Sequence, residues 1–165
     1  MYNERTLEAL LKAEKLYEFD ALDMPRALEL GERLIADARA LEDRPLAARV
    51  ILDDNLIFQY LMPGTGADNL RWMERKCATV ARTRHCSLLQ AVLNELRGPA
   101  EPWQSDEFHY AFCGGGFPLT VNGVFRGIAC VSGLPHLRDH QRLCDTLAGF
   151  LRQEKIRLPL EAQAC

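Results

Sequence analysis

The segment from Cys113 to His140 constrains the fold of this 165-residue chain more than any other. Three consecutive glycines, Gly114 to Gly116, precede Phe117 and Pro118, and an apolar run follows them. Because glycines beside a strand cost backbone entropy, such a run usually marks a close approach of backbone or ligand. The run lacks the GxGxxG order and the Lys-Ser/Thr pair of nucleotide-binding loops. We expect either a cleft lined by exposed backbone N–H groups or a bulge where sheet and helix cross closely.

The composition is that of an ordinary globular chain, long enough for one domain that spans residues 1–165. A net charge of −3 gives no reason to expect nucleic acid or an acidic membrane surface as a partner. No 18-residue apolar run is present that could span a membrane. The six cysteines contain no CxxC pair, and the N-terminal residues lack the apolar core of a secretion signal. We therefore expect reduced cysteines and a cytoplasmic location.

Hydrophobic periodicity predicts a mixture of helices and strands. Helices are expected at residues 4–15, 24–41, 68–84, 88–96 and 136–153. Strands are expected at residues 16–19, 47–52, 56–62, 110–113, 117–121 and 124–131. Asn3, Asp23 and Ser87 are suitable N-caps for the first, second and fourth helices. The short connections between strands favour an antiparallel sheet with helices on its faces, which is an α/β (α+β) fold.

A basic face follows from the spacing of Arg71, Arg75 and Lys76 on the third predicted helix. It can bind an anion such as a propionate or phosphate group, or it can be a solvated face or an oligomer interface paired to acidic residues. Trp72 lies beside these cations and can either stack on a ligand or pack into a core or an interface.

The last predicted helix carries His136, His140 and Cys144 at intervals of four residues, which places them on one stripe. Two histidines at this spacing can hold a metal, with the cysteine as a third ligand. Alternatively, Asp139 and His140 only complete the start of the helix. Ser132, Asp139 and His140 also contain the groups of a hydrolase triad, but no G-x-S-x-G motif surrounds Ser132.

Four motifs occur in one order: GT-x2-DN-x2-W-x2-RK at residues 64–76, Ser-Leu at 87–88, GGGFP at 114–118, and VSGLP-x3-DH at 131–140. Together they resemble the haem-degrading-domain group, which contains GlcG-like and HbpS-like haem-binding proteins. The resemblance extends over residues 11–151. It implies a profilin-like fold with a five-stranded antiparallel sheet and helices on both faces. It also implies homo-oligomers, from dimers to larger rings, and a bound haem or other small anionic molecule.

Cys113 departs from the family pattern, since relatives commonly carry a histidine immediately before the double glycine. A thiolate can ligate iron, whereas a buried neutral cysteine is an ordinary packing residue. An axial haem ligand, if there is one, would come from His85, His109, His136, His140 or a cysteine. The predicted ligand-binding residues are Asn69, Trp72, Arg75, Lys76, Ser87, Cys113, Gly114, Gly115, Phe117, Ser132, Asp139 and His140.

Two functions are consistent with these residues. The first is a small oligomeric protein that binds haem or another anionic small molecule. The second is a non-enzymatic oligomeric adaptor whose motif residues shape the sheet edge and the subunit contacts. The sequence does not decide whether a reaction is catalysed.

Overall fold

The computed structural model describes residues 1–42 and 44–160, in which five α-helices surround a four-stranded antiparallel sheet. The helices are α1 (Glu4–Leu16), α2 (Met24–Ala40), α3 (Ala67–Thr83), α4 (Ser87–Arg97) and α5 (His136–Leu151), with a short 3₁₀ helix at Pro102–Ser105. The strands are β1 (Ala47–Leu52), β2 (Asn55–Leu61), β3 (Gly116–Val121) and β4 (Val124–Ser132). Over the described ranges, no helix combines the length and the apolar character needed to cross a bilayer.

Local capping sets where the first two helices begin. Asn3 accepts a hydrogen bond from the Thr6 N–H at 3.0 Å, and the Thr6 hydroxyl accepts one from the Asn3 N–H at 3.2 Å. The Asp23 side chain accepts from the Arg26 N–H at 2.9 Å at the start of α2. Both predicted caps are therefore confirmed, and each satisfies N–H groups that lack a partner within the helix.

The predicted cap of α4 is wrong by one residue. Ser87 is the first residue of the helix, and Cys86 occupies the N-cap position. The Ser87 hydroxyl instead accepts a hydrogen bond from the Gly116 N–H at 3.0 Å, which ties α4 to the start of β3.

Two hairpins build the sheet, in the order β2-β1-β4-β3. Asp53 and Asp54 turn the chain between β1 and β2 with φ of +50° and +63°. Asn122 and Gly123 turn it between β3 and β4 with φ of +49° and +82°. Both loops are therefore two residues long. Positive φ at both residues gives such a loop a twist that matches the twist of the flanking strands.

The sheet carries helices on both faces. Helix α3 covers one face, where Met73 and Val80 pack with Ile128 and Cys130. Helices α2 and α5 cover the opposite face, and their leucines share one core with the other set of strand residues, which includes Val50, Leu52, Ala129 and Val131. Helices α1 and α4 extend this larger core. The alternation of side chains along each strand accounts for the two separate apolar layers.

The expectation of five strands is wrong, because the sheet of the described chain has four. Residues 110–113, predicted as a strand, form a loop that is bound to α3. The Ala111 N–H donates to the Arg75 carbonyl at 3.2 Å, and the Ala111 carbonyl accepts from the Thr79 hydroxyl at 2.9 Å. The backbone groups that a strand would use for pairing are thus taken by a helix.

The predicted strand at residues 16–19 is also wrong. Leu16 is the last residue of α1, and only Phe19 meets the sheet, in a single parallel bridge to Val121. The Phe19 N–H donates to the Thr120 carbonyl at 2.8 Å, and the Phe19 carbonyl accepts from the Asn122 N–H at 3.1 Å. This one residue covers the free edge of β3.

Candidate functional site

A cleft of about 400 Å³ opens where β4 ends and α5 begins. Its walls come from three parts of the chain: the first half of α3, the loop before the glycine run, and the junction between β4 and α5. The lining residues are Asp68, Asn69, Trp72, Lys76, Cys113, Ser132, Gly133, Leu134, His136 and Asp139. The structure therefore brings together six of the twelve predicted ligand-binding residues: Asn69, Trp72, Lys76, Cys113, Ser132 and Asp139.

Helix α3 places Asn69, Trp72 and Lys76 on one side, because intervals of three and four residues return to the same helix face. Asn69 connects this helix to the sheet. Its side-chain oxygen accepts from the Gly66 N–H at 3.1 Å, and its amide donates to the Ser132 hydroxyl at 3.3 Å. The first turn of α3 is thereby fixed against the end of β4.

A buried ion pair forms the inner wall of the cleft. The Lys76 ammonium lies 2.9 Å from the Asp139 carboxylate, and the two side chains are 3% and 2% exposed. The ammonium also donates to the Val131 carbonyl at 3.0 Å, and the carboxylate accepts from the Leu134 N–H at 3.0 Å. Charges removed from water need such a full set of partners. The pair joins α3 on one face of the sheet to α5 on the other.

Burial and charge act in opposite directions on this pair. Burial is the largest influence and lowers the pKa of Lys76, but the charge and hydrogen bond of Asp139, together with the nearby Cys130 and Cys113, outweigh it and leave the pKa raised. Burial raises the pKa of Asp139, while the Lys76 charge and N–H groups of Leu134 and Gly133 lower it in part. A 2.9 Å contact with a charged ammonium keeps the carboxylate ionised at neutral pH. Lys76 is therefore not a free cation for a ligand.

The glycine run is required by close packing. Gly115 has a φ of +125°, and a Cβ there would lie 2.6 Å from both the Lys76 ammonium and the Val131 carbonyl oxygen. A Cβ on Gly114 would overlap the His136 carbonyl and come within 2.7 Å of the His140 Cβ. A larger residue at either position would displace the inner wall of the cleft.

The N–H groups of the glycine run are used within the protein. The Gly114 N–H donates to His136 Nδ1 at 3.1 Å, and the Gly116 N–H donates to the Ser87 hydroxyl at 3.0 Å. The close crossing expected at this segment is therefore present, whereas these two N–H groups are not offered to a ligand. Both bonds instead position side chains from α5 and α4.

The bond from Gly114 fixes the state of the His136 ring. A backbone N–H can only donate, so Nδ1 must be the accepting nitrogen. Burial and the nearby Lys76 charge lower the pKa of His136, which keeps the ring neutral at pH 7. A neutral ring with an accepting Nδ1 carries its proton on Nε2. Nε2 has no hydrogen-bond partner in residues 1–42 and 44–160, and His136 lines the cleft. His136 therefore has a free donor, and its ring lines both this cleft and a second hollow beside α4 and the 3₁₀ helix.

Cys113 is the residue that departs from the family pattern, and it lines the cleft in a partly exposed position. Burial raises the pKa of its thiol, with the Lys76 charge acting in the opposite direction. The thiol is therefore protonated at neutral pH, and it is a weak hydrogen-bond donor. A raised pKa disfavours the thiolate that iron ligation or nucleophilic attack requires.

Trp72 forms the rim of the cleft and is 40% exposed. The guanidinium carbon of Arg75 lies 4.1 Å from the centre of its ring, a cation–π contact. Arg75 also donates to the Glu107 carbonyl at 2.9 Å, and Arg71 pairs with Asp68 at 3.5 Å. The basic face expected from the sequence is thus divided: Arg71 and Arg75 stay on the outside, whereas Lys76 is buried.

Other predicted residues lie away from the cleft. Phe117 is fully buried in the core beside Tyr17 and His140, and Ser87 is buried under β3. His140 is buried as well, with Nε2 3.4 Å from the Cys144 sulfur and no hydrogen-bond partner at Nδ1. Ser87 and His140 pack against the glycine run from the side of the protein core.

Neither the metal site nor the catalytic triad considered from the sequence assembles. Within the described ranges, no three His, Cys, Asp or Glu side chains are arranged to hold a metal ion. The nearest polar partners of Ser132, Asp139 and His140 are other residues: Asn69, Lys76 and Cys144 respectively. No hydrogen-bonded chain therefore connects the serine to the histidine.

Four lining residues were absent from the predicted ligand-binding set: Asp68, Gly133, Leu134 and His136. Gly133 and Leu134 lie inside the VSGLP motif, so this motif could have identified them as cleft residues. His136 was considered only as a metal ligand, because nothing in the sequence shows that Gly114 donates to it.

The fold and the cleft define a class of small α+β protein with a ligand-sized site at one end of an antiparallel sheet. Residues 22–147 match the family described as haem degrading protein HbpS-like, and the chain belongs to this family. A UPF0303 protein of Brucella ovis is 32% identical over 164 residues, with 97% of this chain and 96% of the relative covered.

Solved structures share the same fold. The Ybr137w protein superposes with a TM-score of 0.80 at 25% identity, over 88% of this chain and 87% of that one. A PduOC:Heme complex superposes with a TM-score of 0.68 at 15% identity, over 83% of this chain and 99% of that one. At 15% identity the second likeness concerns the fold alone.

Proposed function

We propose that this protein binds a small anionic organic molecule in the cleft, and that haem is the first ligand to test. The observation that carries the proposal is a cleft of about 400 Å³ that combines the exposed ring of Trp72 with unpaired donors on Ser132 and His136. The description of the family names haem degradation, and the PduOC neighbour is a complex with haem. The family description and the haem complex both favour a flat ligand that carries carboxylates.

The residues of the cleft fit the ring and the carboxylates of a tetrapyrrole, but they do not fit its iron. A flat ring can lie against Trp72, and Arg71 and Arg75 are close enough to this rim to attract propionates. His136 presents a protonated Nε2, and Cys113 presents a neutral thiol in place of the thiolate that ligates iron. The proposal therefore includes no reaction at the metal.

Titration with haemin tests the proposal. We expect a saturable Soret change with the wild-type protein and a loss of about tenfold in affinity for Trp72→Ala, since stacking on an aromatic ring contributes about 1–3 kcal/mol. Trp103→Phe is the matched control, because Trp103 lies outside the cleft, in the 3₁₀ helix. A response that never saturates and equals that of free haemin would contradict the proposal.

A second candidate function is a non-enzymatic adaptor that assembles into homo-oligomers. The observation in its favour is Phe108, which is 83% exposed and borders a second hollow beside Arg71 and Arg75. Large exposed aromatic residues are typical of protein contacts. Light scattering at micromolar concentration measures the subunit number, and a monomer that stays unchanged in Phe108→Ser would argue against this function.

We also propose a cytoplasmic location. The five cysteines of the described chain are all free, which agrees with a reducing compartment. Cys165 lies outside the described residues. Cell fractionation of a tagged protein measures the location directly.

A further inference from the structure

We propose that the inner end of the cleft is a carboxylate site, in which the Ser132 hydroxyl and His136 Nε2 donate to the two oxygens of the ligand's carboxylate. This inference rests on the proposed ligand binding and names the chemical group that the site recognises. Both side chains line the cleft, and both have a donor that the protein itself does not use.

Ser132 contributes a buried donor. The residue is 4% exposed and lines the cleft at the end of β4. Its oxygen accepts from the Asn69 amide at 3.3 Å, which directs the hydroxyl proton away from Asn69. No side chain or carbonyl in the described parts of the chain accepts this proton. A buried hydroxyl without an acceptor loses a hydrogen bond unless a ligand supplies one.

His136 contributes the second donor, and the fold fixes which nitrogen carries the proton. The Gly114 N–H occupies Nδ1 at 3.1 Å, and the absence of a side chain on Gly114 lets the loop approach the start of α5 closely enough for this bond. The proton must therefore be on Nε2. A metal ion would meet an N–H group here, whereas a carboxylate oxygen would meet its natural partner.

The charges around this end also favour an anion. Helix α5 has 16 residues and begins at His136 without a side-chain cap, so the positive end of its dipole faces the site. The negative charge of Asp139 is compensated by Lys76 at 2.9 Å. Asp68 also lines the cleft, but its side chain is 83% exposed and its carboxylate pairs with Arg71 at 3.5 Å. No uncompensated negative charge of the described residues therefore opposes a carboxylate at this point.

A carboxylate of this kind can belong to a tetrapyrrole or to a free organic acid, and iron-free porphyrins separate the two sources. Protoporphyrin IX carries two carboxylates, and its dimethyl ester carries none, while the ring is the same. Quenching of tryptophan fluorescence measures the affinity of each. We expect the acid to bind at least about tenfold more tightly than the ester, a difference of about 1.4 kcal/mol. Equal affinities would overturn the inference.

Variants of the two donors show whether the preference arises at this site. Ser132→Ala and His136→Phe should abolish the difference between acid and ester. His136→Gln should retain most of it, because glutamine has both an oxygen for the Gly114 N–H and an N–H for the ligand. His85→Gln is the control, since His85 is bound to Glu14 outside the cleft. An acid preference that persists in His136→Phe would overturn the role of the histidine.

A second measurement separates this inference from the proposed function. If no porphyrin binds, tetrapyrrole binding fails, and wild-type protein is then titrated with benzoate while the Gly114 amide and the His136 Nε2 proton are followed by NMR. A saturable shift of both signals supports a site for a free organic acid. No shift of either signal overturns the carboxylate site itself.

Discussion

A buried ammonium group needs a full set of partners, and Lys76 has them in Asp139 and the Val131 carbonyl. Removal of one partner leaves an uncompensated charge in the interior, whereas removal of both leaves no buried charge and only takes a hydrogen bond from the Val131 carbonyl and the Leu134 N–H. This asymmetry makes the pair a structural element of the cleft wall and gives a test by a double-mutant cycle.

We expect Lys76→Met to lower the free energy of unfolding by about 3–5 kcal/mol and the double variant Lys76→Met/Asp139→Leu to recover part of this loss. Denaturant unfolding monitored by circular dichroism measures both. The exposed pair Arg71–Asp68 is the control, and Arg71→Met should change stability by less than about 1 kcal/mol. If the double variant is less stable than either single variant, the pair contributes more than its desolvation costs.

His140 links stability to pH. Burial, and to a smaller extent His136, lowers its pKa from 6.5 to about 4. The unfolded chain therefore takes up a proton at a higher pH than the folded chain. Stability should fall as the pH decreases from 6.5 to 4, by about 3 kcal/mol for this residue.

His140→Leu should remove this part of the pH dependence, which unfolding curves at pH 7 and pH 4 measure. His85 should affect the pH dependence of stability in the opposite direction, because its hydrogen bond to Glu14 raises its pKa. Its stabilising effect is present below pH 6.5 and is lost as the pH rises through the raised pKa. The same pH slope in wild type and His140→Leu would show that the histidine is not buried in a neutral state.

The sequence predicted six of the ten cleft residues, because its motifs mark them, but it did not predict their roles. Lys76 was expected to meet an anionic ligand, and in the structure it meets a carboxylate of its own chain. Its partner lies 63 residues away, and no periodicity shows which helices meet at that distance. Phe117 was expected to pack against a ligand, but it lies in the core. The sequence pattern of a strand does not distinguish an aromatic side chain that contacts a ligand from one that packs in the core.

Among the helices and strands, the sequence predicted correctly those features that depend only on residues close together in the chain. The caps at Asn3 and Asp23 depend on neighbours a few residues away, and both are as predicted. The segment at residues 110–113 failed for a different reason. Its apolar character required burial, but its backbone groups bind α3 instead of a strand.

The connection into β3 contains Gly115, whose replacement should destabilise the fold. We expect Gly115→Ala to destabilise the protein by about 1–3 kcal/mol, because its φ is +125° and the new Cβ would meet the Lys76 ammonium. The midpoint of thermal unfolding measures the change.

Gly149→Ala is the matched control within α5. Its Cβ would only approach the flexible end of Arg33, at 3.3 Å. Alanine in a helix interior should stabilise the protein by about 0.5–1 kcal/mol. Equal effects of the two substitutions would contradict the packing role of the glycine run.

On the scale of the whole molecule, the C-terminal part of the described chain returns to the first helix. The Tyr17 hydroxyl donates to the Glu154 carbonyl at 2.9 Å and accepts from the Ile156 N–H at 2.9 Å. The Thr6 hydroxyl donates to the Pro159 carbonyl at 2.8 Å. Residues 154–159 and the first helix thus stabilise each other without adding a strand to the sheet.

Tyr17→Phe should release this segment, since it leaves a carbonyl and an N–H without partners. We expect a loss of about 1–3 kcal/mol and faster proteolysis after α5, with the helices and the cleft intact. Limited proteolysis with mass spectrometry locates the cuts. Cuts that first appear elsewhere would show that Tyr17 has a wider role.

The contact of Lys76 with Asp139 and Val131 has a consequence for how this protein opens. Two layers that pack on opposite faces of a sheet can detach one at a time, but here a single ammonium holds α3, β4 and α5 together. The Leu134 amide, bound to Asp139, should therefore exchange its hydrogen with solvent only when the entire domain unfolds. Native-state hydrogen exchange would then give Leu134 the same opening free energy as the centre of β4. A form in which α3 or α5 has detached from β4 would then lack the inner wall of the cleft.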